Sequence, residues 1–178
     1  AENSPVATRY QAVYARRNLL TYTEDFRNAW WAKGFCTFSD GKLYGSDIPN
    51  QQMLSQIEHG AGTFSYSFKA RAGTLPRVGL TAWNGTSYFL NVLFDLSTGT
   101  VVSNGGVGDA SIQPLSDGWY LCKCENLTTA SATNFGGMQI RPGKSSHTAG
   151  TTAGPFDPDS YVEIGYAQFE AGPVATDY

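Results

Sequence analysis

The chain has 178 residues, a length that suits one domain with a core large enough to need no disulfide or metal. Charged residues make up only 15% and the formal net charge is -3, so the basic surplus needed for non-specific nucleic-acid binding is missing. No apolar run of about 18 residues occurs, which excludes a membrane-spanning helix. Aromatic residues at 13% and 20 glycines favour pleated sheets joined by tight turns.

Residues 1–17 lack the alternating pattern of a sheet strand. The stretch 7–17 fits a short amphipathic helix with Tyr10, Val13 and Tyr14 on one side. Two interpretations remain open: a loosely ordered terminus, or an arm that docks on a neighbouring subunit through these side chains. The stretch also lacks the apolar centre of a signal peptide.

The next part of the chain is polar and rich in turns. Residues 18–26, NLLTYTEDF, predict a strand or an extended segment. Adjacent Trp30 and Trp31 follow, and one must face outward if the other is buried. Residues 39–56 predict a long loop, with a helical turn at 51–57.

From Gly62 onward, short strands alternate with turn signals about every ten residues, which predicts an all-β sandwich. The Asn84-Gly85 pair predicts a hairpin turn, because both residues tolerate positive φ. Period-two alternation predicts two sets of core-facing side chains: Phe64, Tyr66 and Phe68 in one strand, and Tyr88, Leu90, Val92, Phe94 and Leu96 in another.

The stretch DGWYLCKC raises the question of a metal or redox site. Strand alternation divides it into two faces, with Tyr120, Cys122 and Cys124 on one and Trp119, Leu121 and Lys123 on the other. Two cysteines on one face of a strand stand about 7 Å apart, too far for an undistorted disulfide. A zinc site needs about four ligands, and Cys36, His59 and His147 stand at no recognised spacing. We interpret Cys122 and Cys124 as buried apolar filling, with a disulfide from Cys36 to either one left open.

Five segments follow one another in a recognisable series: NLLTYTEDFRNAWW, TFSYSFKARAGT, FDLSTGTVV, ASIQPLSDGWYLCKC and YVEIGYAQFEAGPVATDY. The series resembles a jelly-roll, carbohydrate-binding-module-like domain of bacteriophage virion proteins, particularly tail, fibre and surface-decoration proteins. The resemblance covers residues 18–178 and leaves 1–17 as an N-terminal arm. It implies a jelly-roll sandwich of two antiparallel sheets. GYAQFEAG departs from the family's usual GAQLEAG, and members are diverse in use, so the resemblance supports the fold better than a ligand.

The resemblance also implies a structural calcium ion near the first and last strands. Glu24, Asp25 and Glu170 lie in the matching segments and would supply the hard oxygen ligands that calcium prefers. Asp157 and Asp159 form a second candidate pair. The alternative is that these carboxylates cap turns and face solvent.

Three tryptophans are the candidate glycan-binding residues, Trp83, Trp119 and Trp31, because indole faces stack on the C–H surfaces of sugars. Alternation places Trp83 on the face of its strand that points away from the core, and it places Trp119 in the same way. The alternative is that these rings fill the core or a subunit interface.

Catalytic chemistry has no recognisable pattern here. His59 and His147 lie in polar, turn-like stretches, and no nucleophile elbow, HExxH helix or phosphate-binding loop occurs. The carboxylates lie mostly at turns, and no pair is singled out for glycoside hydrolysis. The sequence therefore predicts a protein that is not an enzyme.

The resemblance and the absence of catalytic motifs together imply a structural protein of a bacteriophage particle, in the tail, fibre or capsid-surface decoration. Its partners would be other virion proteins and further copies of itself, with a trimer as the working assumption. A host-surface glycan is a further expected ligand. The alternative is the carbohydrate-binding module of a secreted polysaccharide-degrading enzyme.

Overall fold

The computed structural model describes residues 18–20, 22–50, 53–56, 61–83, 86–106, 108–129 and 136–176. Within them the chain forms twelve strands: β1 Ala32–Gly34, β2 Thr37–Ser39, β3 Lys42–Tyr44, β4 Met53–Gln56, β5 Gly62–Ala72, β6 Arg77–Trp83, β7 Tyr88–Asp95, β8 Thr100–Gly106, β9 Asp109–Pro114, β10 Trp119–Thr129, β11 Gly136–Gly143 and β12 Tyr161–Ala171. A short 3-10 turn, Ser116–Gly118, precedes β10.

The strands form two antiparallel sheets of six. Sheet 1 has the order β1-β4-β11-β6-β7-β8, and sheet 2 has the order β2-β3-β12-β5-β10-β9. The chain passes between the sheets repeatedly, so that β11 lies between β4 and β6, and β12 lies between β3 and β5. The predicted all-β sandwich of two antiparallel sheets is confirmed.

One apolar core lies between the sheets and draws side chains from both. Phe68 of β5 meets Phe94 of β7 edge to face, with ring centroids 5.9 Å apart. Leu90 and Val92 are fully buried beside them, as the alternation predicts. Burying each such side chain stabilises the fold by about 1.5–3 kcal/mol, so this core is the main source of stability.

One local prediction is wrong. Within the helical turn expected at 51–57, residues 53–56 form strand β4, in which Leu54 is fully buried and pairs with Lys33 on one side and Ile140 on the other. In this strand tertiary pairing overrides the local sequence preference. In the segment 18–26, predicted as a strand or an extended segment, Asn18 forms a single bridge with Glu170, and bends and turns follow among its described residues.

Several predictions fall on residues outside the described ranges. These are the N-terminal arm with Tyr10, Val13 and Tyr14, the Asn84-Gly85 turn and His59.

The described chain begins at Asn18, whose side chain holds it to β12. Its Oδ1 accepts from Phe169 N at 3.0 Å, and its Nδ2 donates to Ala167 O at 3.1 Å.

Candidate functional site

The outer face of sheet 2 presents Trp119 at the start of β10. Strand register sets Trp119 opposite Arg71 and Leu121 opposite Lys69. The Lys69 Nζ lies 4.7 Å and the Arg71 Cζ 4.9 Å from the centroid of the Trp119 ring. Arg71 is itself held by Glu163, at 3.0 Å from Nε to Oε2. Cation–π contact of this kind fixes the position of the half-buried ring.

Trp119 forms one wall of a groove of about 470 Å³, which we call the Trp119 groove. Two loops, together with Phe38 of β2 and with Ile164 and Gly165 of β12, build the rest of it. The loop after Asn18 is folded by successive turns and fastened to β12 through Ala167 N, which donates to Thr23 O at 3.0 Å. The β2–β3 turn is held where Ile164 N donates to Gly41 O at 2.9 Å. The lining residues are Glu24, Asp25, Arg27, Phe38, Asp40, Gly41, Trp119, Ile164 and Gly165.

The chemistry of the Trp119 groove is aromatic and acidic. Glu24, Asp25 and Asp40 supply carboxylate acceptors, and Arg27 supplies donors while bonding weakly to Asp25 at 3.4 Å. An indole beside several hydrogen-bonding groups is the combination that recognises sugars. Sequence reasoning assigned Trp119 and the Glu24–Asp25 pair to separate roles, whereas the structure brings them into one groove.

Trp31 is a core residue and is wrongly assigned to glycan binding. Only 1% of it is exposed, its Nε1 donates to Tyr22 O at 3.0 Å, and its ring packs edge-on against Phe26 at 4.8 Å. Its neighbour Trp30 is the outward-facing member of the pair, at 68% exposure. The sequence could identify that one of the two faces outward but not which one.

The predicted calcium ligands are not brought together. Glu170 is fully buried, and its two oxygens accept from Thr176 N at 2.8 Å and Thr176 Oγ1 at 2.6 Å. Glu24 and Asp25 line the Trp119 groove, which does not include Glu170. Across the described ranges, no group of three or more His, Cys, Asp or Glu side chains is arranged to hold a metal ion. The second candidate pair, Asp157 and Asp159, lies in the turn before β12.

The outer face of sheet 1 carries Trp83 at the end of β6. A register shift after Ala82 pairs Trp83 with Tyr88, and the two rings meet edge to face at 4.8 Å. This shift removes Tyr88 from the core face on which simple alternation had placed it. Trp83 and Tyr88 are both half-buried and form an aromatic pair on the outside of the sandwich.

Arg141 lies beside this aromatic pair and is fully buried. Its Nε donates to Thr81 Oγ1 at 2.9 Å, and its Nη2 donates to Tyr88 Oη at 2.8 Å and to Gln139 Oε1 at 2.6 Å. Its Cζ lies 5.2 Å from the centroid of the Tyr88 ring, which covers the guanidinium. No sequence pattern distinguished this arginine.

The segment 144–156, which we call the crossing segment, packs against the outer face of sheet 1. Thr151 N donates to Asn91 Oδ1 at 3.1 Å, and a Cβ on Gly79 would clash with the carbonyl oxygen of Gly150. His147 is half-buried within this segment, where its Nδ1 accepts from Lys144 N at 3.0 Å. Burial lowers the pKa of His147.

All three cysteines are reduced and buried. Burial raises the pKa of Cys122 well above its usual range. Burial and the nearby carboxylates of Asp109 and Glu125 raise the pKa of Cys124 to about 12. The interpretation of Cys122 and Cys124 as core filling is confirmed, and neither of the disulfides from Cys36 forms.

Large apolar side chains are exposed around β1, a group we call the edge patch: Tyr22 at 49%, Trp30 at 68%, Phe35 at 50% and Ile48 at 40%. Phe35 and Ile48 line one groove of about 260 Å³, and Trp30 lines another of about 340 Å³. Of the β1 residues, Lys33 lines the groove with Phe35 and Ile48, and Ala32 lines the groove with Trp30. Several exposed apolar side chains around one edge strand make this region the candidate for an interaction surface.

Comparison with known proteins adds no assignment, because neither a family profile nor a curated protein matches the chain. The described residues include no helix with the length and apolar character needed to cross a membrane.

Proposed function

We propose that this chain is a non-enzymatic structural protein of a bacteriophage particle, in the tail, fibre or capsid-surface decoration. It assembles through the edge patch with other virion proteins and with copies of itself. The virion context comes from the sequence resemblance. The observation that supports assembly through this surface is the exposure of four large apolar side chains around β1.

The edge patch has the chemistry of a protein interface. Aromatic side chains such as Trp30 and Phe35 supply much of the binding energy at interfaces when they enter a pocket on the partner. The patch offers both the anchors and the grooves that flank them. A symmetric oligomer could therefore use the same surface on each subunit.

Sedimentation velocity on the full chain tests this proposal. We expect a concentration-dependent oligomer that Trp30→Ser and Phe35→Ser each weaken by roughly ten-fold or more, the range seen for interface anchors. Val174→Ser is the matched control, because Val174 is an exposed apolar residue outside the patch, at 51% exposure. A strict monomer, or an oligomer unaffected by both patch substitutions, would contradict assembly through this surface.

A second function, binding of a host-surface glycan, is favoured by the Trp119 groove. The Trp119 ring offers a stacking surface, and the carboxylates of Glu24, Asp25 and Asp40 would accept hydrogen bonds from sugar hydroxyls. The same groove would serve the alternative, a carbohydrate-binding module of a secreted enzyme. Phage structural genes beside this gene would favour the virion function, and a lyase or hydrolase gene would favour the alternative.

A glycan array followed by titration calorimetry tests the groove. We expect Trp119→Ala and Asp40→Asn to weaken binding of any captured glycan by about ten-fold, which corresponds to one stacking contact or one charged hydrogen bond. Val102→Ala is the control, because it removes exposed apolar surface outside both the groove and the edge patch. Retention of full affinity in Trp119→Ala would refute this choice of site.

A further inference from the structure

Lys33 is the central residue of edge strand β1, and its side chain faces inward. It pairs with the fully buried Leu54 of β4, so the two side chains lie on the same, inner face of sheet 1. Lys33 is half-buried and lines the groove that Phe35 and Ile48 also line. An inward-pointing lysine at a sheet edge must bring its ammonium to a set of acceptors, because an unpaired charge against the core is costly.

The acceptors of Lys33 are three backbone carbonyls of the loop 27–31. Its Nζ donates to Trp31 O at 2.8 Å and to Asn28 O at 3.0 Å. A third, longer bond reaches Arg27 O at 3.2 Å. An ammonium has three N–H donors and no acceptor, so three carbonyls match its full donor set. We call this arrangement the carbonyl cage.

The carbonyl cage belongs to the turn that orients two adjacent tryptophans. Asn28 O accepts from Trp31 N at 3.1 Å as well as from the ammonium, and Asn28 Oδ1 accepts from Trp30 N at 3.0 Å. The turn leaves Trp31 with 1% exposure and Trp30 with 68%. The ammonium therefore holds the loop in the conformation that buries one indole and presents the other beside β1.

The geometry of the carbonyl cage suits an ammonium better than a calcium ion. Calcium binds oxygen at about 2.3–2.6 Å and takes about six to eight ligands. The three carbonyl oxygens lie between 2.8 and 3.2 Å from Nζ. Of the ion pairs among the described residues, none includes Lys33. Lys33 thus supplies, from within the chain, the positive charge that these carbonyl dipoles favour.

We propose that Lys33 is a positioning residue of the edge patch, whose ammonium closes the carbonyl cage and holds Trp30 in place as an anchor for assembly. The role at an interface rests on the proposed function, whereas the cage itself does not. An anchor that is fixed before binding raises affinity, because less conformational entropy is lost when it enters a partner. Lys33 then acts on assembly through Trp30.

Hydrogen exchange tests the carbonyl cage in the wild-type chain and in Lys33→Met, which keeps an aliphatic stem but removes the ammonium. We expect the amides of Trp30 and Trp31 to exchange at least ten-fold faster in this variant. Lys123→Met is the matched control, because it removes one lysine charge from β10 in the other sheet and should leave both amides unchanged. Unchanged exchange in Lys33→Met would overturn the proposal.

Chemical rescue separates the missing ammonium from a general loss of packing. Lys33→Ala removes the side chain beyond Cβ, and propylammonium supplies a charge on a stem of the missing length. We expect propylammonium to restore slow exchange of the Trp31 amide, and the neutral molecule of the same length, n-propanol, to have no effect. Equal effects of the two solutes, or no effect of either, would contradict a cage that is specific for an ammonium.

Nuclear magnetic resonance of the wild type needs no variant. An ammonium held by three hydrogen bonds exchanges its protons with water slowly, so we expect Lys33 to give a resolved side-chain proton–nitrogen signal. Loss of that signal through fast exchange, as for a fully solvated ammonium, would contradict the cage even if both variants failed to fold.

Sedimentation velocity connects the carbonyl cage to assembly. We expect Lys33→Met to weaken the oligomer several-fold, and to add little to the loss caused by Trp30→Ser, since both changes act through one anchor. Fully additive losses would show that Lys33 contacts the partner directly and would overturn its positioning role. A strict monomer would overturn the proposed function and the interface role of Lys33 together. Unchanged exchange in Lys33→Met with an intact wild-type oligomer would overturn the cage alone.

Discussion

Asp95 ends β7 and closes the turn into β8, within the FDLSTGTV stretch. Its Oδ1 accepts from Ser97 N at 3.0 Å and from Thr98 N at 3.3 Å, and its Oδ2 accepts from Arg77 Nε at 2.8 Å. Burial by itself would raise the pKa of this carboxyl. The hydrogen bonds from Ser97, Arg77 and Thr98 outweigh burial and lower the pKa to about 2.

This lowered pKa predicts a pH-dependent loss of stability. Because the folded pKa lies below the unfolded one, the stabilisation is present above about pH 4 and is lost as the pH falls toward about 2. We expect Asp95→Asn to lower the free energy of unfolding by about 2 kcal/mol at neutral pH, and the difference from wild type to shrink across that window. Urea unfolding of both proteins, from neutral to acid pH, measures this difference in the free energy of unfolding.

Asp25→Asn is the matched control for Asp95. It breaks another aspartate–arginine pair, but both side chains of that pair are largely exposed, at 72% for Arg27 and 49% for Asp25. Exposed pairs contribute little to stability, so we expect no comparable difference at any pH. A destabilisation of Asp95→Asn that stays constant down to acid pH would contradict the pKa argument.

At the scale of elements, the chain after β12 is held to the sandwich by a buried carboxylate. Glu170 accepts from both the amide and the hydroxyl of Thr176. Nearby, Ala175 N donates to Glu125 Oε1 at 2.8 Å, and Asn126 N donates to Pro173 O at 2.8 Å. These bonds fasten residues 172–176 to sheet 2, and both oxygens of Glu170 take part in this attachment.

Thr176→Val tests this attachment. It keeps the shape of the side chain but leaves one oxygen of a fully buried carboxylate without a donor. We expect a loss of about 1–3 kcal/mol in the free energy of unfolding and faster hydrogen exchange in residues 172–176. Thr176→Ser is the control, because it keeps the hydroxyl and should retain most of the stability. Equal stability of the two variants would show that the hydroxyl bond does not matter.

The position of the crossing segment against sheet 1 is not predicted by any local sequence pattern. Its Gly150 fits only because Gly79 lacks a Cβ, and a Cβ on Gly150 would in turn clash with the carbonyl of Val92. Close approach of two backbones at these positions requires glycine on both sides. Nothing in either local stretch predicts that the two meet.

At the scale of the molecule, one core serves both sheets. The edge-to-face contact of Phe68 with Phe94 and the burial of Leu90, Val92 and Cys122 belong to the same apolar cluster. Among the described residues this cluster draws on both sheets, so we expect neither sheet to persist when the other unfolds. The structure therefore predicts a single cooperative unfolding transition.

Coincident transitions test this cooperativity. Far-UV circular dichroism reports loss of the sheets, and tryptophan fluorescence reports exposure of the buried Trp31. We expect the two urea midpoints to agree. Midpoints that differ beyond experimental error would mean that one sheet or the region around Trp31 unfolds independently.

The sequence alone determined the features that repeat within a few residues. Alternation along β5 and β10 identified their core faces, and it placed Trp119 on the outer side with Cys122 inside. The resemblance to jelly-roll domains predicted the two-sheet arrangement. Such features follow from the geometry of an extended strand, in which successive side chains point to opposite faces.

Only the tertiary structure decided which distant residues meet. The Trp119 groove joins Glu24 and Asp40 to a tryptophan far along the chain, and Arg141 lies beside Trp83 and Tyr88 because a register shift turns Tyr88 outward. Burial of Trp31 rather than Trp30 depends in the same way on packing against Phe26. Local patterns carry no information about such contacts, because pairing between strands, and not the order of residues within one strand, brings these side chains together.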